Sequence, residues 1–267
     1  MIVISAVGHR RDKRRISLRY VPYGDTVVYA DDAALKVNIP GKATVAASGA
    51  DGATCVCITQ TDTGMALWSV YDATVRELSA DVPEELEIFI SFDGSAAFTL
   101  DALGVLTLYD LKNGSGTVVS ETAGRCTISP GGKYLLYTDI SAGQTLTLYK
   151  VGSGVGEAVS TRYLPVAVSD DAKLIYVTDT ESGGFCLIGG DGLEKSRFTS
   201  DLAPGEAILF TSDLSEVVFS DSEYAYVSVG GGAKSTIGAA GTEPRYEGGA
   251  YSLLPGGCRV CGCKTFN

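Results

Sequence analysis

Four stretches of the chain repeat one another without gaps over eleven residues: 91–101 (SFDGSAAFTLD), 129–139 (SPGGKYLLYTD), 169–179 (SDDAKLIYVTD) and 211–221 (TSDLSEVVFSD). Their first residues are 38, 40 and 42 apart, and self-similarity at such a period marks a chain built from one supersecondary unit stacked on copies of itself. In each copy an apolar pair or triplet leads into Ser, Asp, Gly or Pro, an apolar run follows, and the run stops at an Asp. Apolar runs of strand length bounded by turn formers are β-hairpins. A second alternating run follows each hairpin (105–109, 146–149, 185–188 and 224–227), and then a more polar run rich in Ser, Thr and Val. The unit is therefore four strands, and its gradient from apolar inner strands to a polar last strand suits a sheet whose outermost edge meets water.

Fainter copies extend the series. Residues 21–31 (VPYGDTVVYAD) place a turn and a final Asp in register, Ala50-Asp51-Gly52 opens a hairpin running through 54–59, and Leu254-Pro255-Gly256-Gly257 repeats the turn of Ser129-Pro130-Gly131-Gly132. Counting runs gives about 26 strands over the chain. These observations predict an all-β fold, a single β-propeller domain over 1–267, with seven four-stranded blades and six as the alternative. Closure by pairing of N- and C-terminal strands is expected, with 1–7 and 16–21 completing the blade begun by 251–266.

The hairpin signature Ser/Thr-x-Asp/Gly-Gly-Lys followed by an apolar strand, clearest at 129–137, resembles the repeat of TolB-like and WD-repeat-like propellers, and of the propellers attached to prolyl oligopeptidases. The resemblance covers nearly the whole chain and implies an architecture rather than an activity. No Trp-Asp ends a strand and no Gly-His opens a repeat, so a true WD-repeat protein is not supported. The Tyr-Trp-Thr-Asp signature of lipoprotein-receptor propellers is missing. Gln60-Thr61-Asp62-Thr63-Gly64 with Trp68 is similar to the Asp-box of sialidases, but the Trp is displaced by one residue and there is no second copy.

Composition narrows the partners. A net charge of −11 argues against nucleic acid, which calls for a basic surface to displace counterions. Residues 1–19 nevertheless carry six basic residues against Asp12, a local +5, leaving −16 on the remainder; the run Arg10, Arg11, Lys13, Arg14, Arg15 reads as a solvated loop. No apolar run approaches the roughly 18 residues of a membrane-spanning helix. The apolar stretch 1–7 precedes its basic residues, the wrong order for a secretory signal, so a cytoplasmic location is expected, with an extracytoplasmic one as the alternative if the chain is a fragment. Seven cysteines, an odd number, read as reduced thiols; Cys55 and Cys57 share one strand face, and Cys126 and Cys186 sit singly inside apolar strands.

The aspartates Asp31, Asp101, Asp139, Asp179 and Asp221 occupy one place in five repeats, and in a closed ring they would circle one face. Asp32, Glu181 and Glu223 add acids in the adjoining turns. That face is the candidate binding surface, with Asp31, Asp101, Asp139, Asp179, Asp221, Glu181 and Glu223 as its ligand- or partner-binding residues. The simpler reading is that Asp at a strand end holds its own turn through a bond to nearby backbone, reused in every repeat.

Cys258, Cys261 and Cys263 form C-R-V-C-G-C, half of a zinc site: a second C-x-x-C is absent, and a fourth ligand would have to be His9 or a distant Cys. A place in the last hairpin's second strand accounts for them more simply. Catalysis is poorly provided for. His9 is the only histidine and lies in the basic loop, and there is no G-x-S-x-G elbow, P-loop or dinucleotide-binding glycine motif. The expectation is a non-enzymatic binding or scaffolding module without a cofactor, presenting an acidic loop face to a protein or peptide partner. The alternatives are a carboxylate-based hydrolase acting on glycans or lactones at the channel mouth, and the sensor domain of a longer chain.

Overall fold

A computed structural model describes residues 2–5, 15–20, 26–30, 36–49, 54–83, 85–200, 208–211, 213–220 and 223–239. Among them every regular element is a strand, and no helix is long and apolar enough to cross a membrane. The strands form six four-stranded sheets, each an antiparallel meander of consecutive strands. The first holds β1 (Ile2–Ser5), β2 (Arg15–Tyr20), β3 (Thr26–Ala30) and β4 (Lys36–Ile39), and the second β5 (Lys42–Ser48), β6 (Cys55–Thr61), β7 (Gly64–Tyr71) and β8 (Thr74–Ser79). The third holds β9 (Leu86–Ile90), β10 (Ala96–Asp101), β11 (Leu106–Asp110) and β12 (Ser115–Ser120). The fourth holds β13 (Ala123–Ile128), β14 (Tyr134–Asp139), β15 (Thr145–Lys150) and β16 (Gly156–Ser160), and the fifth β17 (Tyr163–Val168), β18 (Ile175–Asp179), β19 (Phe185–Ile188) and β20 (Glu194–Thr199). The sixth holds β21 (Leu209–Phe210), β22 (Glu216–Ser220), β23 (Tyr224–Val229) and β24 (Lys234–Ala239).

The chain divides into two compact units, the first ending at Glu121 and the second beginning at Thr122. In the first, Val56, Ile58 and Leu67 of the second sheet pack with Ile90, Ala97, Tyr109 and Leu111 of the third. The other face of the second sheet buries Cys55, Cys57 and Val70 with Ile39 of β4, so the two cysteines do share a face. In the second unit, Leu136, Leu146 and Leu148 pack on Val168, Ile175 and Val177. There Phe185, Phe198, Phe219 and Tyr226 join Tyr176 and Phe210 in a continuous aromatic cluster between the fifth and sixth sheets. Full burial of each of these side chains contributes about 1.5–3 kcal/mol.

The repeat is written in the turn joining the first and second strands of the third, fourth, fifth and sixth sheets. The leading hydroxyl residue closes it in the same way each time: the Ser91 N–H donates to Ala96 O, Ser129 to Tyr134, Ser169 to Leu174 and Thr211 to Glu216. The leading Oγ then accepts the amide of that same partner, at 3.1, 3.0, 3.0 and 3.0 Å. Three residues on, the chain enters the left-handed region, at Gly94 (φ 71°), Gly132 (φ 66°), Ala172 (φ 55°) and Leu214 (φ 60°). Glycine takes that conformation freely and an L side chain does not.

The N-terminal sheet departs from expectation. β1, β2, β3 and β4 pair in that order, so β3 is the third strand of its sheet, where alignment with the other copies makes it a second. The reason is spacing: β4 runs through Pro40-Gly41 directly into β5, so the copy starts upstream at β1. Residues 251–266, expected to share a blade with β1 and β2, lie outside the described residues. Cys126 is half-buried rather than a core residue.

Candidate functional site

In an antiparallel meander the turn between second and third strands lies at the same end as the connection into the next sheet. The recurring aspartates sit there. The pairing partner of each acid opens the first strand of the same sheet: Asp101 faces Leu86, Asp139 faces Ala123 and Asp179 faces Tyr163. The residue before that partner, Glu85, Thr122 or Arg162, therefore stands at the acid's place in each repeat.

Each described aspartate holds its own turn. Asp101 Oδ1 accepts the amides of Leu103 and Val105 at 2.9 and 2.8 Å. Asp139 Oδ1 accepts the Ser141 and Thr122 hydroxyls at 2.8 and 2.9 Å and the Ala142 amide at 3.3 Å. Burial on its own would raise the Asp139 carboxyl; those hydroxyls and amides outweigh it and hold the group below its ordinary value.

Asp179 is the most elaborate of the three. Its side chain is fully buried, and it accepts Arg162 Nε and Nη2 at 3.1 and 2.6 Å, Arg197 Nη2 at 2.8 Å, the Ser182 hydroxyl at 3.0 Å and the Glu181 amide at 3.0 Å. The Arg162 bonds above all hold its carboxyl far below the usual carboxylate range, with Arg197, Glu181 N and Ser182 adding to them against the cost of burial. Arg197 is shared with Glu194 at 2.5 Å, and Glu181 lies 3.7 Å from Arg162 Nη2. Glu181 and Glu223 are exposed. Two arginines against three carboxylates leave this cluster with one net negative charge, and Asp179 is fixed as an anion.

Asp31 and Asp221 lie outside the described residues, as do His9, Cys258, Cys261 and Cys263. Cys57 and Cys186 are buried, and burial pushes their thiols up to about 12 and about 11. A thiol so placed stays protonated and is a poor nucleophile.

Sequence reasoning missed two sets of residues here. The first is the partners of the acids, Thr122, Arg162 and Arg197. The repeat did carry a signal for the first two: they are 40 residues apart, the same interval as Asp139 and Asp179. The second is apolar. Leu103, Ile140 and Tyr224 stand in or beside the same turn of three different sheets, 85, 56 and 46% exposed.

Turns, sheet order and capping acids together define a class: an all-β protein of tandem four-stranded antiparallel sheets, propeller-like in its repeat. Compared by sequence, the chain matches no protein-family profile and no curated protein. Solved structures that it is similar to include TolB from Acinetobacter baumannii, at 14% identity and a TM-score of 0.48 over 81% of this chain and 60% of that one. Another, described as TolB from Agrobacterium tumefaciens, is 18% identical with a TM-score of 0.49, over 77% of this chain and 85% of that one. The chain thus spans three fifths of the Acinetobacter protein's length.

Proposed function

We propose that the chain is a non-catalytic protein- or peptide-binding module whose contact surface is the end of the sheets carrying the second-to-third-strand turns. The observation that carries this reading is the pairing, in two repeats, of an exposed large apolar side chain with the turn acid, Leu103 after Asp101 and Ile140 after Asp139, with exposed Tyr224 opening the third strand of another sheet. Exposed apolar groups beside fixed charges are the chemistry of protein contact, the first supplying affinity and the second orientation. The acids suit that task better than general acid catalysis, because Asp179 is held ionised chiefly by Arg162 and Asp139 by the hydroxyls and amides around it. On this reading Asp31, Asp101, Asp139, Asp221, Glu181 and Glu223 orient the partner at that face, and Asp179, expected from the sequence to join them, is buried and holds the turn and its two arginines instead. The chain forms one propeller over 1–267, of seven blades with six as the alternative, closed through its terminal strands.

The test is capture of a partner by the full chain, with Ile140→Glu and Tyr224→Ser expected to weaken it at least tenfold. Val118→Glu, an equally exposed apolar position on an outer strand away from these turns, is expected to leave capture unchanged. Equal capture by all variants, or turnover in a panel of glycan and lactone substrates, would overturn the reading.

A further inference from the structure

Among the described residues, four buried side-chain polar atoms have no hydrogen-bond partner: Thr59 Oγ1, Trp68 Nε1, Ser69 Oγ and Arg76 Nη1. All four belong to one sheet, on β6, β7 and β8. Chance would scatter such atoms over all the sheets whose side chains are described, and buried donors are otherwise almost always paired. Ser69 and Arg76 are direct cross-strand partners in the β7–β8 register, so their side chains leave the same face of the sheet. Ser69 is fully buried. The Arg76 side chain runs beneath the turn between β11 and β12, where a Cβ on Gly114 would lie 3.1 Å from Arg76 Cδ.

The contrast with the other paired arginines is instructive. Arg162 and Arg197 reach a common carboxylate, whereas no ion pair among the described residues involves Arg76. The acid of the facing turn, Asp110, is spent on its own loop: it accepts the Lys112 and Asn113 amides and the Asn113 side-chain amide. Glu77 follows Arg76 on an extended strand and so leaves the opposite face. A guanidinium nitrogen under protein with no acceptor, on the same sheet face as a hydroxyl in the same condition, is a donor pair awaiting an anion. The planar, two-oxygen partner that a guanidinium fork fits best is a carboxylate.

We infer that Arg76 and Ser69 form a carboxylate-binding site under the β11–β12 turn, taking either a free small carboxylate or an acidic side chain of a peptide. This site lies on a different part of the sheets from the turn acids and does not depend on their role.

The test titrates the full-length protein with sodium acetate, and separately with a short glutamate-containing peptide, against sodium chloride at matched ionic strength. The readout is the backbone amide resonances of positions 69, 76 and 114, which every variant retains. Saturable binding with a dissociation constant on the order of 10 mM for acetate is expected. Ser69→Ala should weaken it at least threefold and Arg76→Gln abolish it. Tighter binding of the peptide identifies an acidic segment as the ligand's source, and equal binding a free carboxylate; both support the site. Because Arg76→Gln alters a packed residue, Arg76→Lys serves as a second variant, expected to bind more weakly without loss of fold. No saturable shift with either probe, or an unchanged shift in Ser69→Ala and Arg76→Lys, would overturn the inference.

Discussion

Asp179 and Arg162, 17 residues apart in sequence, meet through two parallel bonds, Nε to Oδ1 at 3.1 Å and Nη2 to Oδ2 at 2.6 Å. The carboxylate is fully buried while the Arg162 side chain is 45% exposed, so water screens the cation and discounts the pair. Arg197 closes the other side of Oδ2. Removing the acid leaves two guanidinium groups facing each other with no anion between them.

Asp179→Asn is therefore expected to destabilise the fold by about 2 kcal/mol at pH 7, below the 3–5 of a wholly buried pair because of that screening. The sign of the pH dependence follows from a depressed native pKa. The contribution of Asp179 is complete above the ordinary carboxylate value of about 4 and is lost as pH falls through its own lower value. Urea unfolding of the two proteins from pH 7 to pH 2 should show a constant gap down to about pH 4 that narrows below it. A gap that is flat to pH 2, or that widens on acidification, would refute the account.

Ala172 and Leu214 test the turn chemistry in opposite directions. Both occupy a left-handed position that two other repeats give to glycine, at φ 55° and 60°. Ala172 is half-buried, so Ala172→Gly relieves strain at little packing cost and should stabilise by up to about 1 kcal/mol. Leu214 is fully buried in the aromatic core, and Leu214→Gly should cost about 2–4 kcal/mol because the cavity outweighs the relieved strain. Thermal unfolding of the two variants reads the signs directly; a shared sign would show that strain and packing have been misassigned.

Much of this was legible before any coordinates, and the boundary has a physical cause. Ser91, Ser129, Ser169 and Thr211 announce their hairpins because the bonds that close those turns lie within five residues. The acids at 101, 139 and 179 are legible as turn-holding residues for the same reason. Arg162 is not, since its meeting with Asp179 depends on the β17–β18 register across 17 residues. Ile140 is not either, because an apolar residue after a strand reads as more strand until the turn exposes it. The offset of the first sheet escaped because 21–31 carries, around its third strand, the turn-then-Asp pattern that the other copies place around their second.

Cys57 and Cys186 are expected to resist alkylation in the folded protein. Their thiols are buried and pushed up to about 12 and about 11, so raising the pH from 7 to 9 creates almost no thiolate at either. Peptide mapping after native iodoacetamide treatment should recover both unmodified at both pH values, and both modified after unfolding in guanidinium. Native labelling of Cys57 that rises with pH would contradict the burial of the second sheet's inner face.

Gly131 and Asp170 offer the sharpest test of how the repeat is maintained. At the third position of the turn the other copies place Asp93, Asp171 and Asp213, each accepting the leading hydroxyl at 2.7 Å. Gly131 has no such acid, and its amide donates instead to both oxygens of Asp170, in the next sheet, at 2.8 and 3.0 Å. Asp170→Ala should then cost about 1–2 kcal/mol through the lost charge-assisted bond. Gly131→Asp in the otherwise unaltered chain should also destabilise, because a Cβ there would lie 2.5 Å from Asp170 Oδ2 and the new carboxylate would face an existing one. Combined, the two changes remove the obstruction and restore to this turn the acid its sister turns possess. The double variant should accordingly be more stable than Asp170→Ala alone, by about 0.5–1 kcal/mol, a reversal of sign that only neighbouring, coupled residues produce. Denaturant unfolding of the four proteins measures that coupling, and simple additivity of the two single effects would show that the acid's place in the turn and the clasp between sheets are unrelated.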